Sequence, residues 1–378
     1  MITVKAPTFY VHEHDVWEQG GALLSDLGKH GLIIAGQKAW EAVRPSLLPV
    51  LEKHDVHFEV RVLQGEVTVE GIDSFAELAH QLGVDLIIGA GGGKVLDLSK
   101  AVAEQVGLPI VAIPTIAATC AAWSALTVLY DAEGVAAGYR PLRRSPDLIL
   151  VDYRILVAAP RRYLAAGIAD TLVKWHEFSV NLSGNSTSLA LRTSVAVAKL
   201  ALDLLEIHAV EVYEQAGHGE VTPEFKDVVD AIIMLAGLVG TIQDGSVHAA
   251  IAHGLHDSLT QLGETHGVLH GEKVAFGLFT QWVLEGRRDL ELQELARLLQ
   301  RLDQPLTLAA LGLRESPETA ASVLAAGLRL REGASAHLAF GVDKEEATAA
   351  ILQADRIGQT LLTELYTNHT HSKEAISS

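Results

Sequence analysis

"DLIIGAGGGKVLD", residues 85–97, runs an apolar strand into three consecutive glycines and then into a helix. Glycines let the backbone approach a ligand closely, and the free N–H groups at a helix start attract phosphate. The stretch is not the dinucleotide fingerprint G-x-G-x-x-G, because Lys94 holds its last position. Nor is it a P-loop, since position 88 is Ile and Val95 stands where Ser or Thr is needed. A glycine turn at the carboxyl end of a buried strand is where open α/β sheets bind ligands. The same rhythm continues on both sides. "GLIIAG" (31–36), "HFEVRVL" (57–63) and "PIVAIPT" (109–115) read as strands, separated by amphipathic stretches near 38–53, 74–83 and 94–107. Alternating strands and helices predict a parallel sheet covered on both faces. "TVLYDAEGVAAGYR" predicts a hairpin turning at Asp131–Gly134, and "PDLILVD" (146–152) a last strand.

After Pro160 the character changes to long alanine- and leucine-rich segments, such as 186–206, 224–243 and 289–302. The expected organisation is an α/β Rossmann-like domain over 1–160 and an all-α domain over 161–378. The polar tail "TNHTHSKEAISS" reads as frayed. Hydrophobic residues make up 49% of the 378, enough for large cores and against disorder. A net charge of −18 argues against a nucleic-acid or anionic-membrane partner. The single cysteine, Cys120, excludes an internal disulfide and a cysteine-based zinc site. The N-terminus lacks the apolar core of a signal peptide, so a cytoplasmic enzyme is expected. Residues 105–130 carry no formal charge, but Pro109, Pro114 and interspersed hydroxyls mark a buried strand and loop rather than a membrane span.

Two features of the helical half point to chemistry. "GIADTLVKWHE" (167–177) sets Asp170 beside an apolar stripe, where a carboxylate needs a cation, a metal or several donors. "HAAIAHGLHDSLTQLGETHGVLH" (248–270) holds five histidines in 23 residues: His248, His253, His256, His266 and His270. Any one alone reads as an ordinary core or surface residue. Together with a misplaced aspartate they suggest a site of one Asp and two His with an open position, as catalytic metal centres have.

With these motifs in order, the chain resembles the iron-containing (group III) alcohol dehydrogenase superfamily, in its glycerol-dehydrogenase-like branch. The matching segments are "GAGGGKVLDLSKA", "VAIPTIAAT", "SALTVLYDAEG", "SPDLILVD", "AGIADTLVKW", "AHGLHDSLT" and "LHGEKVAFG". The resemblance implies the dehydroquinate-synthase-like fold and a divalent metal on Asp170, His253 and His270. It implies NAD or NADP at Gln37, Gly92, Gly93, Lys94, Thr115, Ser124, Leu126 and Tyr130. His256 falls where a histidine stands near the nicotinamide, as a proton-handling catalytic residue. A small-molecule substrate and a homo-oligomer are the expected partners.

Departures from the branch sharpen the expectation. Glycerol dehydrogenases place an aspartate where this chain has Cys120, and a serine two residues earlier where it has Ala118. "PTIAATCAAW" instead resembles the hydroxycarboxylate dehydrogenases, which reduce 2-oxo acids. A neutral Cys120 in the substrate pocket suits an anionic substrate, so the expected reaction joins a 2-hydroxy acid and its 2-oxo acid. Glycerol oxidation is the alternative. A dehydroquinate-synthase-like lyase is a more distant one, because the motifs have few basic residues for a phosphorylated substrate. The ribose-binding aspartate is replaced by Gln37 beside Lys38, which removes repulsion of a 2′-phosphate and makes NADP possible. Lys174 stands where iron-dependent relatives have a third histidine, which favours zinc over iron.

Overall fold

The computed structural model describes residues 1–12, 16–182, 188–217 and 219–376, with side chains through 364. The chain divides into two compact units. The first comprises Met1–Thr171 and Ser188–Gly245, the second Leu172–Thr187 and Ser246–Ser378. The sequence places its boundary near Pro160, where strands give way to helices. The contacts group 188–245 with the sheet-bearing unit instead.

The first unit is built on a six-stranded parallel sheet in the order Phe9–Val11, Leu148–Leu150, Ile110–Pro114, Leu86–Gly91, His30–Ala35, His57–Val62. Its inner strands read as apolar runs because both faces are covered, whereas the edge strand His57–Val62 carries Glu59 and Arg61. Ile33, Ile88, Val111 and Leu148 lie in one register row and join a core with Leu24, Leu47 and Leu51. Their neighbours Leu32, Ile34 and Ile87 point the other way and pack with Ile72, Leu98 and Val102. The hairpin forms as expected: Leu126–Tyr130 pairs antiparallel with Ala136–Pro141. Asp131 Oδ1 accepts from Glu133 N and Val135 N, and Gly134 supplies φ 84°.

The stretch 105–130 is therefore a helix end, a strand, a loop and a strand. Among the described residues no helix is long and apolar enough to cross a membrane. The first unit also holds a short antiparallel pair, Thr3–Val4 with Ile242–Gln243, and the helices Leu189–Gln215, Pro223–Asp230 and Ala236–Thr241, with a π-turn at Ala231–Leu235 between the last two.

Among its described residues, the regular elements of the second unit are all helices. Ile251–Thr260 and His270–Leu284 cross closely at Gly277, where a Cβ would lie 2.5 Å from Ala252 O and 2.8 Å from Ala252 Cα. This crossing brings the start of one helix beside the middle of the other. Asp289–Arg301, Pro317–Gly327 and Lys344–Ile376 complete the unit. The last helix carries the polar tail to Ile376, where fraying was expected.

Candidate active site

In the first unit, the expected cofactor residues leave the sheet at one edge. Ala35 pairs with Ala90 and Gly91 with Pro114, so Gln37, Gly92–Lys94 and Thr115 all follow neighbouring strand ends. The three glycines do different work. A Cβ on Gly91 would meet Val95 Cβ at 2.8 Å, and one on Gly92 would meet Ile116 Cδ1 at 2.7 Å. Packing requires the first, because Val95 Cβ cannot swing aside, whereas at Gly92 only the tip of Ile116 would have to move. On Gly93 the nearest atom would be Ala121 Cβ at 3.7 Å, so this glycine keeps open the approach to the helix Gly93–Val106. No side chain caps that helix at Gly92, which leaves its first N–H groups available to an anion.

Lys94 Nζ lies 2.5 Å from Glu66 Oε1 and 5.7 Å from the centre of the Tyr130 ring. Thr115 is buried and its N–H donates to Gly91 O at 3.1 Å. Gln37 is exposed at the start of helix Gln37–Lys53 and donates from Nε2 to Glu41 Oε1 at 2.7 Å.

Ser124 and Leu126 are fixed by a group the sequence reading passed over. Lys100, buried in the helix after the glycines, donates from Nζ to Ser124 O, Ser124 Oγ and Leu126 O at 2.6–3.1 Å. It pairs with Asp97 at 2.9 Å, and Asp97 Oδ2 accepts from Val128 N. Two charges three residues apart inside an apolar helix were the available signal. Cys120 is half-buried in the adjoining loop, where its carbonyl accepts from Trp123 N and Ser124 N.

The second group of residues gathers around the histidines. Helix Arg161–Ser179 carries Asp170, which is 2% exposed. Ligand atoms of Asp170, His253 and His270 lie within 4.8 Å of one another.

The donor set suits a divalent cation. His253 presents Nδ1 to Glu177 Oε2 at 2.5 Å, and Glu177 Oε1 accepts the His253 backbone N–H at 2.8 Å. Lys174 Nζ lies 3.2 Å from His253 Nε2. His256 stacks edge-on to His270, with ring centres 4.2 Å apart. Its Nε2 is 2.9 Å from His270 Nδ1 and its Nδ1 is 3.0 Å from Asp257 Oδ1. Burial, and then the neighbouring His270 ring, push His256 down to about 3, so its ring is neutral at pH 7. Lys273, three residues after His270, is buried with Nζ 3.4 Å from Thr260 Oγ1. Burial brings its ammonium down to about 8 against the opposing pull of Glu272.

Of the five clustered histidines, three converge. His248 contacts Ser246 Oγ and the Phe178 ring, and His266 is exposed in the loop between the two helices.

Known proteins resemble this chain in sequence and in fold. Residues 7–153 match the family model described as iron-containing alcohol dehydrogenase. A glycolaldehyde reductase of Halobacterium salinarum is 34% identical over 94% of this chain and 97% of its own length. A glycerol dehydrogenase of Pseudomonas putida is 35% identical over 95% and 98%. Hydroxycarboxylate dehydrogenase A of Escherichia coli K12 is 42% identical over a shorter span, 62% and 66%. The crystal structure of a probable glycerol dehydrogenase from Sinorhizobium meliloti superposes with a TM-score of 0.83 at 30% identity, covering 94% of this chain and 99% of that one. The chain belongs to the iron-containing alcohol dehydrogenase family, oxidoreductases that act on CH–OH groups and bind NAD(H) and a divalent metal.

Proposed function

We propose that the protein interconverts a small 2-hydroxy acid and its 2-oxo acid, with NAD(H) as hydride carrier and zinc on Asp170, His253 and His270. When bound, the cation supplies a Lewis acid for the substrate oxygen, and the nicotinamide supplies or accepts the hydride. The chain's own residues do the rest. Gly93 and the uncapped helix start would receive the diphosphate, with Lys94 beside them. Lys100 holds the Ser124–Leu126 segment in place for the rest of the cofactor.

Zinc is favoured by a donor set of one carboxylate and two imidazoles, with Lys174 in place of a further histidine. NAD is favoured over NADP by Glu41. Gln37 itself carries no charge, but its bond to Glu41 brings a carboxylate back to the same helix turn, where it opposes a 2′-phosphate. Steady-state kinetics with both cofactors test this; equal efficiency with NADPH would contradict it.

The substrate assignment is carried by one observation, the neutral Cys120 at the position where glycerol dehydrogenases have an aspartate. At ~5 Å and an effective dielectric near 20, a like-charge contact costs about 3 kcal/mol, on the order of 100-fold in affinity. A neutral side chain spares a substrate carboxylate that repulsion. The similarity to hydroxycarboxylate dehydrogenase A supports the same reading. Glycerol remains the second reading, supported by the match to the P. putida glycerol dehydrogenase over nearly the whole chain. Wild type and Cys120→Asp should be assayed with 2-oxobutanoate, 2-oxoglutarate, glycolaldehyde and glycerol. The oxo acids should be the better substrates of the wild type, and the substitution should raise their KM on the order of 100-fold. A wild type that prefers glycerol, or an unmoved ratio of efficiencies, contradicts the assignment.

A further inference from the structure

We infer that Glu177 and the His256–Asp257 pair are positioning residues that fix the ring orientation and tautomer of the two histidine ligands. The inference rests on the metal reading of Asp170, His253 and His270 and extends it to residues that touch no metal.

The first arm is Glu177. It stands seven residues after Asp170, two turns along the same helix face, and its side chain is 3% exposed. Both carboxylate oxygens are committed to one residue: Oε1 to the backbone N–H of His253 and Oε2 to its ring. A carboxylate accepts only, so His253 Nδ1 must carry the proton and Nε2 the lone pair. The ring thus presents its lone pair on the side away from Glu177, and the carboxylate raises its basicity. A buried carboxylate otherwise needs a nearby positive charge. Across the imidazole Lys174 Nζ lies 3.2 Å from Nε2, and a metal ion bound there would add its own charge.

The second arm follows from counting protons. If His270 presents Nε2 as its ligand atom, Nδ1 carries hydrogen and donates to His256 Nε2. His256 must then be protonated on Nδ1, which donates to Asp257 Oδ1. One proton arrangement satisfies both of these contacts. It leaves both nitrogens of His256 engaged with protein groups, with no lone pair for a substrate proton. His256 therefore acts through His270. This differs from the direct proton-handling role that the family resemblance implies for it.

The test uses metal-free full-length protein titrated with Zn²⁺ against a chromogenic chelator, with near-UV circular dichroism as the check on folding. The visible spectrum of the Co²⁺-loaded protein reports the ligand field. Glu177→Gln should lower Zn²⁺ affinity by roughly 10–100-fold and shift the Co²⁺ bands, because an amide cannot accept from both His253 donors. If Glu177→Gln does not fold, Glu177→Asp keeps the charge at a shorter reach and should show the same loss. His256→Phe should lower affinity by a similar factor, and His256→Gln, whose amide oxygen accepts from His270, should recover most of it. Folded Glu177 variants with wild-type affinity and Co²⁺ spectrum would overturn the first arm. His256 variants that bind metal normally and lose turnover alone would overturn the second. A wild-type protein that takes up no stoichiometric ion would fail earlier, at the metal reading itself.

Discussion

The two candidate regions are built by opposite means. At the glycine turn the backbone makes the site: one strand end, one uncapped helix start and the space left by Gly93, all within residues 86–94. At the histidine cluster side chains make it. They come from three helices, with Asp170 lying 83 residues before His253 and 100 before His270. A backbone site tolerates side-chain changes that leave the chain path alone. A side-chain site depends on helix crossings, such as that at Gly277, and on further groups that aim each ligand.

The largest expected effect tests the side-chain region. Asp170→Asn keeps the shape and removes the charge. It should lose the metal and lower turnover on the order of 1,000-fold, equivalent to about 4 kcal/mol of transition-state stabilisation, with the fold intact. Metal content and kcat on the purified variant check this. Near-wild-type turnover would remove Asp170 from the site.

His176, on the same helix as Asp170, separates burial from ligation. It is packed between Trp175 and Trp282, and its Nδ1 accepts from Trp282 Nε1 at 3.3 Å. Burial, aided by Arg287, lowers its pKa to about 3. The unfolded chain, with an ordinary imidazole, binds more protons below about pH 6.5, so this contribution to stability is complete above that pH and shrinks as pH falls toward 3. Between pH 7 and pH 5 it should amount to about 2 kcal/mol. Urea unfolding at both pH values should show that His176→Gln is less pH-sensitive than the wild type by this amount. An equal pH dependence would contradict the burial account.

The smallest effects dissect the backbone region. Gly92→Ala forces Ile116 to move and should cost about 1–3 kcal/mol of stability. Gly93→Ala meets only ordinary contacts and should leave stability within about 1 kcal/mol of wild type. It should nonetheless weaken NADH binding about tenfold, roughly 1.4 kcal/mol. Thermal denaturation and NADH fluorescence titration read the two effects separately. The reverse pattern would mean that Gly92, rather than Gly93, faces the ligand.

The same contrast governs what was legible in the sequence. The sheet could be read because its inner strands are continuous apolar runs, and the hairpin because Asp131 and Gly134 have the chemistry of a tight turn. Phe9–Val11 was not read, because three residues at a sheet edge carry too little pattern. The π-turn before Ala236 likewise leaves no local mark. Asp170 stood out as a carboxylate on an apolar face. Glu177 lay in the same quoted stretch and passed unnoticed, since its partner His253 is 76 residues away and only the fold joins them. Lys100 was hidden for a similar reason: three acceptors 24 to 26 residues on account for its burial.

The most direct test of the central claim is to strip the purified protein of metal with a chelator, then titrate Zn²⁺ back while following NADH oxidation with 2-oxobutanoate. Activity should fall to background in the stripped protein and return linearly to a plateau at one ion per chain. Asp170→Asn should show no recovery over the same range. Full turnover by the metal-free protein, or recovery in Asp170→Asn equal to that of the wild type, would contradict the assignment of Asp170, His253 and His270 as the ligands of a catalytic cation.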